Sequence, residues 1–449
     1  MSSVSRREFL ATGGAAVAGM SVTPNLILGA KKDKMKVALV GTGIRGNTMW
    51  GRSVAREYRD EVEFVGLCDN NPGRLAYGKN YIGVDCNTYA DFDKMLRDEK
   101  PDTVIVTTVD STHHEFIIKA MEAGCDVITE KPMTTDEEKC QAIIDTQQKT
   151  GKNVVVTFNY RYSPHRQKMK ELLMNGRIGK VTSVDFHWYL DIYHGAAYFR
   201  RWHGKERFGG TLWVHKAAHH FDLLNWWLDS EPTQVFAHGD LEFYGANNSF
   251  RHTNCRGCPH QDNCEFYWDI TQSESMMKLY VDHEHHDGYL RDGCVWSDEI
   301  DIYDKMGAQI KYANGAQVSY SCTTYSPYEG YRIAFNGTKG RLEAWIQERQ
   351  PWPMEEYDEL RLTDNFGYTQ LIQVPHGGGG HGGGDTRLKD KIFVNPDAAD
   401  PYRQSAGSRD GAMSSLTGIA ARKSIEEGRL VKISELTTLE PVAVRSSLG

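Results

Sequence analysis

The sequence lacks two features that would assign the chain to a membrane or to nucleic acid. No apolar run reaches the ~18 residues that a helix needs to span a bilayer, so no transmembrane segment is predicted in the mature protein. Long runs of Lys and Arg are also absent, and the formal net charge is −8. Because no basic run is long enough to suggest a surface for a phosphate backbone, we expect no nucleic-acid partner.

The sequence is long and rich in aromatic rings. Its 449 residues are enough for a large core divided between two or three domains. It contains 10 tryptophans and 22 tyrosines. Aromatic rings stack on the C–H faces of sugars, so this composition weakly favours a carbohydrate partner.

The first 30 residues read as a targeting segment. Ser5-Arg6-Arg7-Glu8-Phe9-Leu10 precedes a mildly apolar, Gly- and Ala-rich run from 11 to 20. This pattern resembles a twin-arginine export signal, and the alternative is a tail with a chance arginine pair. We therefore expect a periplasmic or otherwise exported protein, and we exclude residues 1–30 from the fold.

The stretch from 35 to 46, MKVALVGTGIRG, organises the rest of the chain. Its apolar run has no polar alternation, which is typical of a strand buried on both faces of a parallel sheet. Gly41, Gly43 and Gly46 follow in G-x-G-x-x-G spacing and open a helical pattern. In such a unit the glycines allow a tight turn, close approach of a pyrophosphate and close packing of helix on strand.

The next apolar strand supplies the acidic residue that this motif requires. It covers residues 63–68 and ends at Asp69, about 20 residues after the last glycine, where a carboxylate meets the ribose 2′-OH of NAD. Arg74 is close enough in sequence to meet a 2′-phosphate. The pattern therefore favours NAD and leaves NADP possible.

Strands and helices alternate up to residue 158, and the pattern then changes. The alternation predicts a doubly wound parallel sheet in a domain covering 31–158. Beyond it, hairpin signals occur at Asn314-Gly315 and Asn336-Gly337 without intervening helices. We therefore predict a second, α+β domain over 159–449 with a mostly antiparallel open sheet.

Several motifs together resemble the glucose–fructose oxidoreductase/inositol dehydrogenase (Gfo/Idh/MocA) family. They are the glycine unit, Glu130-Lys131-Pro132 at a strand end, Asn159-Tyr160-Arg161-Tyr162, and Gly209-Gly210 followed by His219-His220-Phe221-Asp222. The resemblance implies a dinucleotide-binding Rossmann domain, hydride transfer at a sugar or cyclitol hydroxyl in the inter-domain cleft, and a homo-oligomer. The motifs and the resemblance together predict cofactor contacts at Gly41, Gly43, Ile44, Arg45, Gly46, Asp69, Arg74, Thr107, Thr108, His113, Glu130, Lys131 and Asn159.

The catalytic prediction centres on Lys131. Oxidation of a secondary alcohol needs a group that takes the hydroxyl proton, and a lysine can do so when burial lowers its pKa. The family usually has Asp where this chain has His215. We therefore predict that Lys131 and His219 act together, with His215 or Lys216 completing the proton relay. A metal held by His215, His219 and Asp222 is the weaker alternative.

Candidate substrate contacts come from an aromatic and basic cluster before the predicted helix at 215–228, and from the motifs above. The rings could stack on a sugar, although about half of them are expected in the core. The predicted substrate contacts are Arg161, Tyr162, Tyr189, Arg201, Trp202, His220 and His381.

A polar stretch contains three closely spaced cysteines, Cys255, Cys258 and Cys264, and Cys294 follows later. Four thiolates suit a tetrahedral zinc site that orders a long loop. Two disulfides and an iron–sulfur cluster are the alternatives. Between Cys264 and Cys294, residues 283–287 (HEHHD) are dense in possible metal ligands, and we interpret them as a solvated loop.

Between His376 and Asp385 lie eight residues, seven glycines and His381. Such a loop could wrap on a ligand or act as a lid. A similar segment occurs in NAD-dependent α-N-acetylgalactosaminidases of this fold. The chain therefore has two alternative functions beside the dehydrogenase, a glycosidase acting by transient oxidation at C3 and elimination, and a non-catalytic cofactor-bearing sugar-binding protein.

Overall fold

The protein is described by a computed structural model that covers residues 33–445, so the predicted export signal lies outside the described residues. Its first half forms a sheet of six parallel strands in the order β3-β2-β1-β4-β5-β6. The strands are β1 Met35–Val40, β2 Val62–Cys68, β3 Asn87–Tyr89, β4 Thr103–Val106, β5 Asp126–Thr129 and β6 Val154–Val156.

Helices connect these strands on both faces of the sheet. A π-helical turn, Gly46–Arg52, leads into the first of them. The helices are α1 Ser53–Glu57, α2 Pro72–Ile82, α3 Phe92–Glu99, α4 His113–Glu122 and α5 Glu137–Thr150. Side chains of β1 alternate between two hydrophobic cores, with Val37 and Leu39 in one and Ala38 and Val40 in the other. The doubly wound parallel sheet is therefore confirmed.

The second half forms a nine-stranded, mostly antiparallel sheet in the order β14-β13-β12-β11-β7-β10-β9-β8-β15. Only the β7–β10 pair is parallel. This confirms the predicted α+β architecture. The strands are β7 Val181–Asp191, β8 Pro232–Asp240, β9 Lys305–Tyr312, β10 Gln317–Ser326, β11 Glu329–Gly337, β12 Gly340–Arg349, β13 Tyr357–Asp364, β14 Thr369–Pro375 and β15 Val431–Lys432.

One face of this sheet is covered by helices, and its core continues into the first half of the chain. Trp188 on β7 and Val40 on β1 belong to the same hydrophobic cluster. The helices in this part of the chain, not all of which pack on the sheet, are α6 Pro164–Met174, α7 Ile192–Phe199, α8 Glu206–Gly209, α9 Ala217–Leu228, α10 Glu274–Leu279, α11 Gly384–Lys389 and α12 Ser408–Glu427. On the other face Trp345 and Trp352 are 40% and 39% exposed.

Two boundaries differ from the sequence predictions. The helix predicted from His215 begins at Ala217, so His215 lies in the turn before it. The hairpin predicted around Asn336-Gly337 turns instead at Thr338 and Lys339. The extension of β11 has a physical reason, because Asn336 pairs with Ser183 of β7 and donates to its hydroxyl.

No helix in the described part of the chain is both long enough and apolar enough to cross a membrane.

Candidate active site

The glycine motif forms a turn between β1 and the π-helical segment. A Cβ on Gly41, where φ is 93°, would lie 2.6 Å from the Thr107 carbonyl oxygen. A Cβ on Gly46 would lie 2.0 Å from the Gly41 oxygen, so neither position admits a side chain. A Cβ on Gly43 would find its nearest neighbour, the Tyr280 hydroxyl, at 3.7 Å. The space above Gly43 therefore fits a pyrophosphate approaching the backbone.

Asp69 lies directly beneath this turn. Its Oδ2 accepts hydrogen bonds from the Thr42 amide at 2.7 Å and the Thr42 hydroxyl at 3.0 Å. Its Oδ1 accepts from the Asn71 amide and lies 4.0 Å from the Arg74 guanidinium. A carboxylate retains further lone pairs after these bonds. The residues present therefore fit the ribose of a dinucleotide.

Two other predicted cofactor residues, Glu130 and His113, hold the segment that follows β5 in place. Glu130 accepts from Arg45 Nε at 2.6 Å and from Trp50 Nε1 at 2.7 Å. The ring nitrogens of His113 lie 2.9 Å from the Pro132 oxygen and 3.1 Å from the Thr108 oxygen. These contacts position the Lys131-Pro132 turn, whose peptide bond is cis.

Lys131 lies in a chain of three polar side chains. Its Nζ is 3.1 Å from the His215 carbonyl oxygen and 3.4 Å from His215 Nε2. His215 Nδ1 is in turn 2.5 Å from Asp110 Oδ2. Asp110 begins a short helix just beyond β4 and is buried. The structure therefore brings together Lys131, His215 and a carboxylate that the sequence analysis did not select.

Burial sets the charge states in this chain. It lowers the pKa of Lys131 to about 8. Burial, together with the nearby Lys131 charge, lowers the pKa of His215 well below its ordinary value. Asp110 lies on the Nδ1 side, so a neutral His215 donates Nδ1–H to that carboxylate and presents Nε2 to Lys131. Burial also raises the pKa of Asp110.

His219 lies in the first turn of α9, four residues after His215. Its ring stacks on Tyr160 with centroids 4.0 Å apart. Its Nδ1 is buried and has no partner among the described residues. Burial and the charge of Lys131 lower the pKa of His219 well below its ordinary value, so the imidazole is neutral.

Lys216 contacts aromatic side chains and makes no hydrogen bond with Lys131 among the described residues. Its Nζ lies 3.3 Å from the Tyr160 hydroxyl and 5.2 Å from the ring centre of Trp188. The geometry therefore favours His215 over Lys216 as the partner of Lys131. The catalytic roles of Lys131 and His215 remain predictions.

An aromatic wall adjoins His215. The Trp202 ring stacks on His203 at 3.5 Å, and the His203 ring is 4.2 Å from that of His215. The Tyr198 ring is 5.2 Å from His215, and Arg201 lies 5.5 Å from the Tyr198 ring. Burial lowers the pKa of Arg201 to about 10. The predicted pair Arg201 and Trp202 is thus placed at the site, together with His203.

Two predicted substrate residues belong to the core instead. Arg161 is fully buried, and its guanidinium donates to Asp222 and Asp410. This pairing also removes Asp222 from the alternative metal site with His215 and His219. His220 is fully buried against Trp188, and its Nδ1 is 2.7 Å from the Tyr320 hydroxyl.

Two more predicted substrate residues lie away from the cleft. Tyr162 is buried in a cluster with Leu388 and Phe393. Tyr189 contacts Tyr328 on the face of the sheet opposite to Trp188, because neighbouring residues of a strand point to opposite faces.

The glycine-rich run, in contrast, reaches the site. His381 Nδ1 is 3.0 Å from Asp385 Oδ1 and 3.1 Å from Asn159 Nδ2, and its ring is 5.5 Å from the Tyr160 ring. A Cβ on Gly384 would lie 2.4 Å from the Asn159 oxygen, so this glycine allows the close approach. Burial raises the pKa of Asp385, but the His381 hydrogen bond and nearby charges outweigh burial and lower it to about 2.

The four predicted zinc ligands, Cys255, Cys258, Cys264 and Cys294, line one cavity of about 20 Å³. All nine cysteines of the chain are free thiols in the structure. Arg200 Nη1 lies 3.0 Å from Cys255 Sγ and takes up the space beside that sulfur. Within residues 33–445 no group of three or more His, Cys, Asp or Glu is arranged to hold a metal. The structure therefore does not support the zinc prediction.

Comparison with known proteins matches both halves of the chain to one family. The model GFO_IDH_MocA, an oxidoreductase family with an NAD-binding Rossmann fold, matches residues 35–158. The model of the same family's C-terminal alpha/beta domain matches residues 170–433.

Individual relatives agree with this match. The Bacillus subtilis (strain 168) protein YteT is 37% identical over 432 residues, which are 90% of this chain and 99% of YteT. Myo-inositol 2-dehydrogenase of Thermotoga maritima is 26% identical, covering 90% of this chain and 99% of its own length. The structure of levoglucosan dehydrogenase with NADH and levoglucosan has a TM-score of 0.64 at 20% identity, covering 89% of this chain and 100% of its own. The chain belongs to the Gfo/Idh/MocA family of NAD-dependent oxidoreductases.

Proposed function

We propose that the protein transfers hydride between NAD and a ring hydroxyl of a sugar, cyclitol or glycoside. The observation that carries this proposal is the chain from Lys131 through His215 to Asp110, next to the glycine turn. When bound, the nicotinamide supplies the hydride acceptor. The protein's own part is to bind the substrate, orient its hydroxyl and take the proton.

Lys131 is the proton acceptor in this proposal. Its lowered pKa of about 8 gives a useful fraction of neutral amine near neutral pH. After taking the proton, the ammonium donates to the His215 carbonyl oxygen and to Nε2. Asp110 is a positioning residue, because it holds the His215 ring in the tautomer whose Nε2 is unprotonated and can accept a hydrogen bond. Neutral His219, whose ring stacks on Tyr160, orients the same hydroxyl in this proposal.

The substrate class is supported by the wall of the site and by the relatives. Trp202 is partly exposed beside His203 and His215, and a flat ring there can stack on a sugar ring. Two relatives carry names that refer to myo-inositol and levoglucosan, both of them ring polyols. We extend that class to this chain.

A glycosidase is the second candidate, and the contact between His381 and Asp385 favours it. A redox-neutral cleavage needs a further acid–base group for the glycosidic oxygen and the C2 proton. His381 lies beside Tyr160, which itself stacks on His219. A non-catalytic sugar-binding role would leave Lys131 and His219 without a use.

The deciding experiment incubates the purified protein with NAD and a panel of inositols, aldoses, 1,6-anhydrosugars and glycosides in deuterated water. Net NADH with a keto product supports the dehydrogenase. Release of a sugar with deuterium at C2 and no net NADH supports the glycosidase. If neither occurs with any compound while NADH still binds, the enzymatic proposals are wrong.

We also propose that the protein is exported. The support is the arginine pair at positions 6 and 7 before an apolar run. A fusion of residues 1–34 to a folded reporter should appear outside the cytoplasm. Replacement of both arginines by lysine should retain the reporter inside the cell, and export that survives this change contradicts the proposal.

We further propose a homo-oligomer formed through the open face of the nine-stranded sheet. Tyr328, Trp345 and Trp352 form a partly exposed aromatic cluster there. Exposed apolar patches of this kind mark interaction surfaces. Replacing Trp345 by Glu should reduce the mass measured by light scattering. A wild-type protein that is monomeric at micromolar concentration contradicts the proposal.

A further inference from the structure

The long connection between β8 and β9 sends one segment across to the nucleotide-binding half. This segment, residues 274–287, contains α10 and a short helix at Val281–His286. It leaves the second sheet and packs against α2, next to the glycine turn. We call it the insertion segment.

Three polar contacts attach the insertion segment to the dinucleotide site. The Tyr280 hydroxyl accepts a hydrogen bond from the Ile44 amide at 2.9 Å. The Asn71 side-chain amide donates to the His283 carbonyl oxygen at 3.0 Å. The guanidinium of Arg74 forms an ion pair with Asp287. All the partners belong to the glycine turn or to the start of α2, where the phosphates and the adenosine ribose bind in this fold.

The Ile44 amide is one of the groups that face a bound pyrophosphate in this fold. Tyr280 is 6% exposed, and burial raises the pKa of its hydroxyl, which therefore keeps its proton. A hydroxyl that accepts from the amide still has a hydrogen to donate. Tyr280 can therefore bind a phosphate oxygen and the glycine turn together.

The charges around Arg74 bear on whether the site binds NAD or NADP more tightly. Asp287 pairs with the guanidinium, and Asp69 lies 4.0 Å from it, so two carboxylates surround one positive charge. Arg74 Nη1 is buried without a partner among the described residues. A neutral ribose hydroxyl can accept from Nη1, whereas a 2′-phosphate would meet a surplus of negative charge.

From these contacts we propose that the insertion segment is a wall of the dinucleotide site. It covers the bound cofactor, and Asp287 restricts the site to NAD by neutralising Arg74. This inference rests on the dinucleotide binding in the proposed function and is independent of the substrate and its chemistry.

The insertion segment is also supported by contacts with the cysteine loop. Arg256, between the first two cysteines of the trio, donates to Glu284 at 2.6 Å and to Asp292 at 3.0 Å. Asp292 is fully buried and also accepts from the Arg256 amide. The cysteine loop therefore holds the insertion segment in place, which gives the polar stretch 283–287 a structural role.

The test measures binding of NADH and NADPH by fluorescence titration, with no sugar present. We expect wild type to prefer NADH. Asp287→Asn should reduce the NADH-to-NADPH preference on the order of tenfold, because Arg74 is then free to pair with a phosphate. The matched control is Asp282→Asn, which removes an exposed carboxylate from the same segment. This control should keep the wild-type preference.

A second variant tests coverage of the cofactor. Tyr280→Phe removes one hydroxyl and keeps the ring, and it should speed NADH dissociation severalfold without changing the preference between the nucleotides. The inference is overturned if wild type binds both nucleotides equally, or if Asp287→Asn leaves the preference unchanged in a protein of normal thermal stability. Because sugar oxidation is not measured, its absence would count against the proposed function alone.

Discussion

The carboxylate of Asp110 lies 2.5 Å from Nδ1 of His215, although 105 positions separate the two residues. His215 stands where the family that the chain resembles usually has Asp, and Asp110 supplies a carboxylate to it from the region after β4. This contact links the end of β4 to the turn before α9, on opposite sides of the cleft.

Replacement of Asp110 by Asn tests this contact. The negative charge of Asp110 raises the pKa of Lys131. Its loss should therefore move the acidic limb of the pH–rate profile to lower pH, while the maximal rate falls roughly tenfold as His215 loses its orientation. Asp93→Asn, at an exposed site paired with Lys119, is the control and should leave the profile unchanged. An unshifted acidic limb in Asp110→Asn would contradict the assigned role.

Replacement of Lys131 by Met removes the proposed base and keeps much of its shape. In wild type, oxidation should rise as the pH rises through about 8, because the neutral amine is the form that accepts a proton. The variant should lose this limb and about a hundredfold or more of its rate, with NADH affinity intact. Lys149→Met, at an exposed lysine, serves as control. Near-normal turnover in Lys131→Met rules out the role.

Replacement of Gly43 by Val should block the pyrophosphate and spare the fold, since a Cβ there meets no atom closer than 3.7 Å. We expect loss of NADH binding by fluorescence and a normal melting temperature. Gly307→Val, where the nearest atom is also at 3.7 Å, is the control on the second sheet. A Gly43→Val protein that still copurifies with the nicotinamide cofactor would show that this turn is not the binding site.

Replacement of His381 by Ala separates the two enzymatic candidates. The change removes the contacts with Asp385 and Asn159 but leaves Lys131 and its partners in place. For a glycosidase, the rate of sugar release should fall at least tenfold, which corresponds to about 1.4 kcal/mol. For a dehydrogenase, cleavage is absent throughout. His376→Ala, a histidine of the same loop that pairs with Asp358, is the control.

Much of the first half could be predicted because its signals are local. The glycine spacing, the apolar run before it and Asp69 after the next strand are all read within short stretches, and each lies in the structure where the pattern indicates. Lys131 is predicted in the same way, at a strand end with a proline after it.

The missed residues depend on pairing over long distances. Asp110 lies four residues after the end of β4, at the carboxyl edge of the parallel sheet, and this position is the sequence signal that could have indicated it. Its hydrogen-bond partner, His215, belongs to the second domain. No local sequence pattern shows which residues of the two domains come together. Tyr189 illustrates a different limit. Alternation predicts a strand but does not say which face meets the helices, so the side of the sheet on which the Tyr189 ring lies could not be predicted.

The bond between Ile44 and Tyr280 has a consequence for the order of events during synthesis. These residues are 236 positions apart. Domains generally fold as the chain emerges, the N-terminal one first. The glycine turn is therefore complete, with its Ile44 amide open, well before the ribosome has made Tyr280 and Asp287. In the proposal above, the insertion segment therefore reaches the nucleotide site only after the glycine turn has been synthesised.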